Sequence, residues 1–142
     1  MYLIDTNIWL ERLLDQTRSE EVGDFLERVP TDRLYLTDFT LHSIGIALVK
    51  LDEAEAFLNF VKDVITDGGV RLAGLTPDEM KNVIEACTDY KLDFDDAYQY
   101  ATAAKLNFEI VSFDADFDRT DRKRKLPGEV EPGEAEEQEP GE

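Results

Sequence analysis

Apolar positions along this chain fall in short runs and at helical spacing, and each change between the two marks an element. Tyr2, Leu3 and Ile4 form a short run of strand formers. Asp5-Thr6-Asn7 then supplies turn and capping chemistry, and Ile8, Trp9, Leu10 and Leu13 resume at helical spacing. A second helix is predicted over residues 19–29, with Val22, Phe25, Leu26 and Val29 on one face and Pro30 as its stop. Residues 34–37 read as the second strand. Residues 39–50 and 54–66 read as a helical hairpin, which Gly68-Gly69 ends before a strand at 70–75. Thr76-Pro77-Asp78-Glu79 has the N-cap, proline and glutamate of a capping box, opening a helix that runs to about Tyr90. Asp93, Asp95 and Asp96 precede an alanine-rich helical segment, residues 108–112 read as a buried strand, and Asp114 and Asp116 follow in a polar turn.

Strands alternating with helices imply an α/β fold with a short parallel sheet flanked by helices, whose strand ends converge on one edge. Carboxylates at several such ends then meet. Like charges gathered within a few ångströms repel, and the usual relief is a raised pKa or a bound cation. Oxygen-only ligands favour Mg²⁺ or Mn²⁺ over zinc. Taken singly, each of these clusters reads more readily as ordinary helix capping than as catalytic chemistry.

Composition sharpens this picture and also opposes it. The 142 residues suit one domain, and 33 acids against 15 bases leave a net charge of −18, which repels a polyanion instead of steering it. Seven of those excess charges are glutamates of the last sixteen residues, so the remainder carries −11. That tail, rich in Pro, Gly and Glu, is expected to be disordered. Basic residues cluster at Arg119, Arg122, Lys123, Arg124 and Lys125, where they either hold a substrate backbone or form a solvated edge strand. Broad acidity points to a halophilic source. One cysteine, no basic leader and no long apolar stretch place the chain in a reducing, cytoplasmic setting away from membranes. There is no phosphate-cradling glycine loop, no Gly-x-Ser-x-Gly elbow and no zinc ligand set, and the lone His42 reads more readily as structural than as an acid catalyst.

In their order, LIDTNIWL, DDAYQYATA and VSFDADF resemble the PIN domain family, the fold shared by VapC-type toxin ribonucleases. The resemblance implies a PIN-like three-layer domain over residues 1–127, followed by the acidic tail at 128–142. It implies an endoribonuclease that hydrolyses RNA phosphodiester bonds with Mg²⁺ or Mn²⁺, an antitoxin partner, and pairing as a homodimer. Position by position, Asp5, Asp96 and Asp114 match the acids that hold the metal and carry catalysis, and Asp116 a further acid that reaches a second ion. Asn7 and Ser112 match polar positions lining the same pocket. Arg119, Arg122, Lys123 and Arg124 are the candidate RNA contacts. Ser43 stands where the family carries a glutamate, leaving the site one carboxylate short. Asp38, Asp93 and Asp95 are the available substitutes, although Asp38 is expected to cap its helix and Asp95 to point elsewhere. The departure keeps open a second reading, a catalytically weak or inactive PIN domain that binds RNA or protein.

Overall fold

Successive side chains of a strand point to opposite faces, and the central strand of this protein uses that rule to build two cores. The computed structural model describes residues 1–131. In it β1 (Tyr2–Ile4) sends Tyr2 and Ile4 into one core and Leu3 into the other. β2 (Leu34–Thr37) pairs parallel with β1 on one side, Leu3 opposite Tyr35. β4 (Glu109–Val111) pairs parallel on the other, Ile4 opposite Val111. β3 (Arg71–Ala73) and β5 (Arg124–Lys125) complete a parallel sheet of order β3-β2-β1-β4-β5.

Helices cover both faces. On one, α1 (Thr6–Leu13), α2 (Ser19–Arg28), α3 (Asp38–Lys50) and α4 (Ala54–Phe60) bring Ile8, Trp9, Val22, Phe25, Ile44, Leu48 and Phe60 onto Tyr2, Ile4, Leu34 and Leu36. On the other, α6 (Phe94–Leu106) lays Ala103 against Leu3, Phe108 and Ile110. The outer α5 (Met80–Tyr90) packs on α6 through Val83, Ala86, Ala97 and Ala101. Each fully buried aliphatic side chain contributes roughly 1.5–3 kcal/mol, so strands of two to four residues are held by the helices above and below them more than by their ladders.

The boundaries differ from the sequence reading at several points. The predicted helix over 54–66 is α-helical to Phe60 and continues as wider π-type turns over Val61–Thr66, and Gly69 then turns the chain at φ +92, open to glycine. The strand at 70–75 shortens to Arg71–Ala73. The capping box forms, with Thr76 N donating to Glu79 Oε1 at 2.7 Å, but it heads a 3₁₀ turn at Pro77–Glu79 before α5 begins. The domain also runs past residue 127. Pro127–Glu129 make a helical turn, Val130 is fully buried in the core, and Arg28 donates to the carbonyls of Pro127 (2.8 Å) and Val130 (2.9 Å). Residues 128–131, assigned to the tail by their composition, thus lie with the domain because Val130 is an apolar residue worth burying. The rest of the tail, from 132, falls outside the described residues.

The strand order opens a crevice at one edge of the sheet. The chain leaves β1 toward β2 and β3, then crosses back to β4 and β5 on the opposite side. Connections from β1 and β4 therefore diverge at the carboxyl ends of these strands, and a crevice opens between them.

Candidate metal centre

Asp5 follows the last residue of β1 and serves as N-cap of α1, its Oδ1 accepting from Thr6 N at 2.8 Å. Gln99 Nε2 also donates to Oδ1 (2.9 Å), and Ser112 Oγ donates to Oδ2 (2.7 Å). Burial pushes the Asp5 carboxyl up, these donors pull it back, and the charge of Asp114 adds to the rise. Ser112, just past β4, links two acids: it gives its proton to Asp5 and accepts from Asp114 N at 2.9 Å. Asn7 braces the same loop, its Oδ1 accepting from Phe113 N (3.2 Å) and its Nδ2 donating to Ser112 Oγ (3.4 Å). Across the crevice Asp93 caps α6 by accepting from Asp96 N at 2.9 Å, which sets Asp96 in the first helical turn.

Asp5, Ser43, Asp95, Asp96 and Asp114 face one cleft of about 340 Å³. At its mouth one carboxylate oxygen each from Asp96, Asp114 and Asp116 lie within 4.8 Å of one another. The Asp96 carboxyl is pushed up to about 8, first by burial, then by its hydrogen bond to Asp114 and that group's charge, with Asp93 and Asp5 adding to it. Asp96 therefore holds its proton near neutral pH, with the charge of Asp114 beside it. Three converging oxygen donors, with a proton standing in for a cation and no nitrogen or sulfur among them, fit a hard divalent ion such as Mg²⁺ or Mn²⁺.

A family model of the PIN domain matches residues 2–123. The chain belongs to the PIN domain family. Its fold is that of VapC20 from Mycobacterium tuberculosis, titled a sarcin–ricin loop cleaving toxin, with a TM-score of 0.76 at 17% identity over 89% of this chain and 100% of that one. A toxin–antitoxin complex from Klebsiella pneumoniae gives 0.70 at 21% identity over 92% of this chain and 100% of that one. FitAcB from Neisseria gonorrhoeae gives 0.74 at 20% identity, again over 92% and 100%. At these identities the likeness is one of fold. No curated protein sequence matches the chain.

The PIN fold brings most of the residues singled out in the sequence to one place. Asp5, Asn7, Ser43, Asp96 and Asp114 all line the cleft, and Asp116 joins Asp96 and Asp114 at its mouth. Ser43 thus faces the cleft from the helix where PIN nucleases are expected to carry a glutamate. Asp95 does not point elsewhere: the first turn of α6 opens toward the crevice and sets Asp95 on the cleft wall beside Asp96. Asp38 is committed elsewhere, accepting from Phe39 N (2.9 Å) and Tyr98 Oη (3.0 Å), while Thr37 caps α3. His42 is exposed and lies over an apolar groove between α3 and α4.

The basic run is largely engaged within the chain. Arg122 donates to Phe108 O and Asn107 Oδ1, holding the segment before β5 to the residues that lead into β4, and Arg124 donates to Phe113 O and Asp118, tying β5 to the loop after β4. Lys125 pairs with Glu109 at 3.4 Å. Arg119 alone of these reaches the acidic mouth, 3.3 Å from Asp116, and its other nitrogens donate to the carbonyls of Tyr90 (3.0 Å) and Lys91 (2.8 Å). Lys123 is exposed. Sequence reasoning missed Gln99: a single amide within an alanine-rich helix carries no periodic or motif signal.

Proposed function

We propose that this PIN domain is a Mg²⁺- or Mn²⁺-dependent endoribonuclease, the toxin of a toxin–antitoxin pair, working in the cytoplasm. The observation that carries the reading is the convergence of Asp96, Asp114 and Asp116 with a carboxyl that holds its proton to about pH 8. Asp96 and Asp114 would hold the ion with Asp116 at the outer edge, and Asp5 would complete the set from within. Bound there, the ion supplies a Lewis acid for the scissile phosphate and lowers the pKa of its water. The protein's part is positional. Ser112 holds Asp5 and the Asp114 main chain in one register, Asn7 fixes the loop that carries them, and the Ser43 hydroxyl is a neutral contact for water or a phosphate oxygen. Arg119, held by two carbonyls, presents a cation at the mouth for the RNA backbone, and Arg122, Lys123 and Arg124 have a secondary part at most.

Two of the solved structures with this fold support the partner: one is titled a toxin–antitoxin complex and another is FitAB bound to a DNA fragment. An antitoxin or a second copy would cover the apolar face of α3 and α4, where Ile46, Val49 and Leu58 are 46%, 60% and 63% exposed. Ser43 favours the second reading, a PIN fold that binds RNA or protein with little turnover, because a hydroxyl adds no charge for the cation.

Titration of Mn²⁺ into the wild type and Asp96→Asn, with cleavage of a mixed RNA pool followed in the same samples, tests the proposal. Metal-dependent cleavage that is lost in Asp96→Asn is the expected result. Binding without cleavage selects the second reading, and absence of binding returns the carboxylates to helix capping.

A further inference from the structure

Behind the acidic cleft Gln99 is 2% exposed, and its amide makes three hydrogen bonds to neighbouring elements, using both of its protons. Its Oε1 accepts from Thr37 Oγ1 at 2.7 Å, and its Nε2 donates to Asp5 Oδ1 at 2.9 Å and to Thr40 Oγ1 at 2.8 Å. The orientation of the amide follows from its surroundings. Thr37 Oγ1 accepts from Thr40 N at 2.9 Å as the cap of α3, so its one proton is left for Gln99 Oε1. The opposite end of the amide, with two protons, must then face Asp5 and Thr40. Thr40 continues the chain to Thr6 Oγ1 at 2.9 Å.

From this network we infer that Gln99 is a positioning residue for the metal centre, acting through Asp5. The inference rests on the nuclease reading above. Asp5 Oδ1 accepts from both Thr6 N and Gln99 Nε2, and Oδ2 from Ser112 alone. Oδ1 is thereby saturated, and Oδ2 is the only Asp5 oxygen with a lone pair to offer a cation. Gln99 thus sets Asp5 as a one-oxygen ligand of fixed direction, and a neutral amide does this without adding charge among four crowded acids. It also joins the ends of β1 and β2 to α6, the helix that carries Asp96, so the inner acid and the cleft-mouth acids share one frame.

The test is Mn²⁺ affinity, by calorimetry and by the electron paramagnetic resonance of free Mn²⁺, in wild type, Gln99→Met, Asp5→Asn and the double variant. Circular dichroism and thermal melts check that each is folded. Gln99→Met keeps side-chain volume and removes the amide. Gln99→Asn keeps an amide too short to bridge Thr37 and Asp5, and it carries the test if the methionine variant does not fold. Expected is a loss of about 10- to 100-fold in affinity in either variant at residue 99, as for removal of a ligand-orienting partner. In the Asp5→Asn background the same change at residue 99 should add little, the signature of action through Asp5. Unchanged affinity in the folded single variants overturns the inference, as does an equal loss with Asp5 already gone. A wild type that binds no Mn²⁺ overturns the nuclease reading itself and the inference with it.

Discussion

Asp96 holds its proton in the field of Asp114, Asp93 and Asp5, and that proton makes the site sensitive to pH. Its carboxyl is raised from 3.8 to about 8 by burial and by Asp114. Between those values the folded chain holds a proton that the unfolded chain has released, so metal-free stability falls as pH rises through that window. The group is half-exposed, and solvent screening keeps the effect modest. A cation, in contrast, must displace the proton. Apparent Mn²⁺ affinity should climb by up to about tenfold per pH unit between about pH 6 and 8, then level off. Titration calorimetry at several pH values in that range checks this, and a flat profile would mean that Asp96 binds no ion. The second prediction concerns the missing charge. Ser43→Glu places a carboxylate on the cleft wall and should tighten Mn²⁺ binding several-fold, on the order of 1 kcal/mol or more for an added anionic ligand. Unchanged affinity would show that Asp95, already on that wall, fills the place.

At the scale of elements, the site is a set of termini: the ends of β1 and β4 and the start of α6. Helix α6 depends on Asp93, whose side chain accepts from Asp96 N at 2.9 Å. Asp93→Ala should cost about 1 kcal/mol of stability, read by urea unfolding, while removing a like charge beside Asp96. The chain terminus gives a sharper contrast. A chain ending at Glu131 should unfold like the full protein, whereas one ending at Glu129 loses the buried Val130 and should be weaker by roughly 1.5–3 kcal/mol. Equal stability of the two would place the domain boundary back at residue 127. Most of these elements were legible in the sequence because their signals are local: the unbroken apolar run Tyr2-Leu3-Ile4, period 3.6 in α2, a capping box at Thr76. The cleft was legible as well, since a carboxylate after a buried strand must lie on the carboxyl edge of a parallel sheet. What was hidden depends on distant partners. Nothing in the run Arg122 to Arg124 announces that two of its guanidinium groups bond the carbonyls of Phe108 and Phe113. Gln99 looks like an ordinary helix residue until Asp5, Thr37 and Thr40 converge on it. Asp95 looks outward until α6 is docked with its first turn over the crevice.

For the whole molecule, a net charge of −18 sets the response to salt, and it sets it opposite to that of most nucleic-acid enzymes. A basic nuclease is drawn to RNA at long range and loses affinity as salt rises. Here the long-range term opposes the approach of an RNA and acts against the chain's own surface, and Arg119, locked against Asp116, is the only member of the basic run at the mouth to offset it among the described residues. Short attractive contacts act within the cleft, while the repulsion acts over a distance comparable to the screening length, about 10 Å at 0.1 M and about 3 Å at 1 M salt. Raising salt between those concentrations should remove the repulsion first. The melting temperature should therefore rise with KCl, and so should the rate of RNA cleavage at low substrate concentration, until screening reaches the contacts themselves. Equal effects of NaCl and KCl at matched ionic strength would identify screening as the cause. A cleavage rate that falls steadily from the lowest salt upward would show instead that local cations govern the encounter, and Arg119→Ala, measured over the same series, would then flatten the fall.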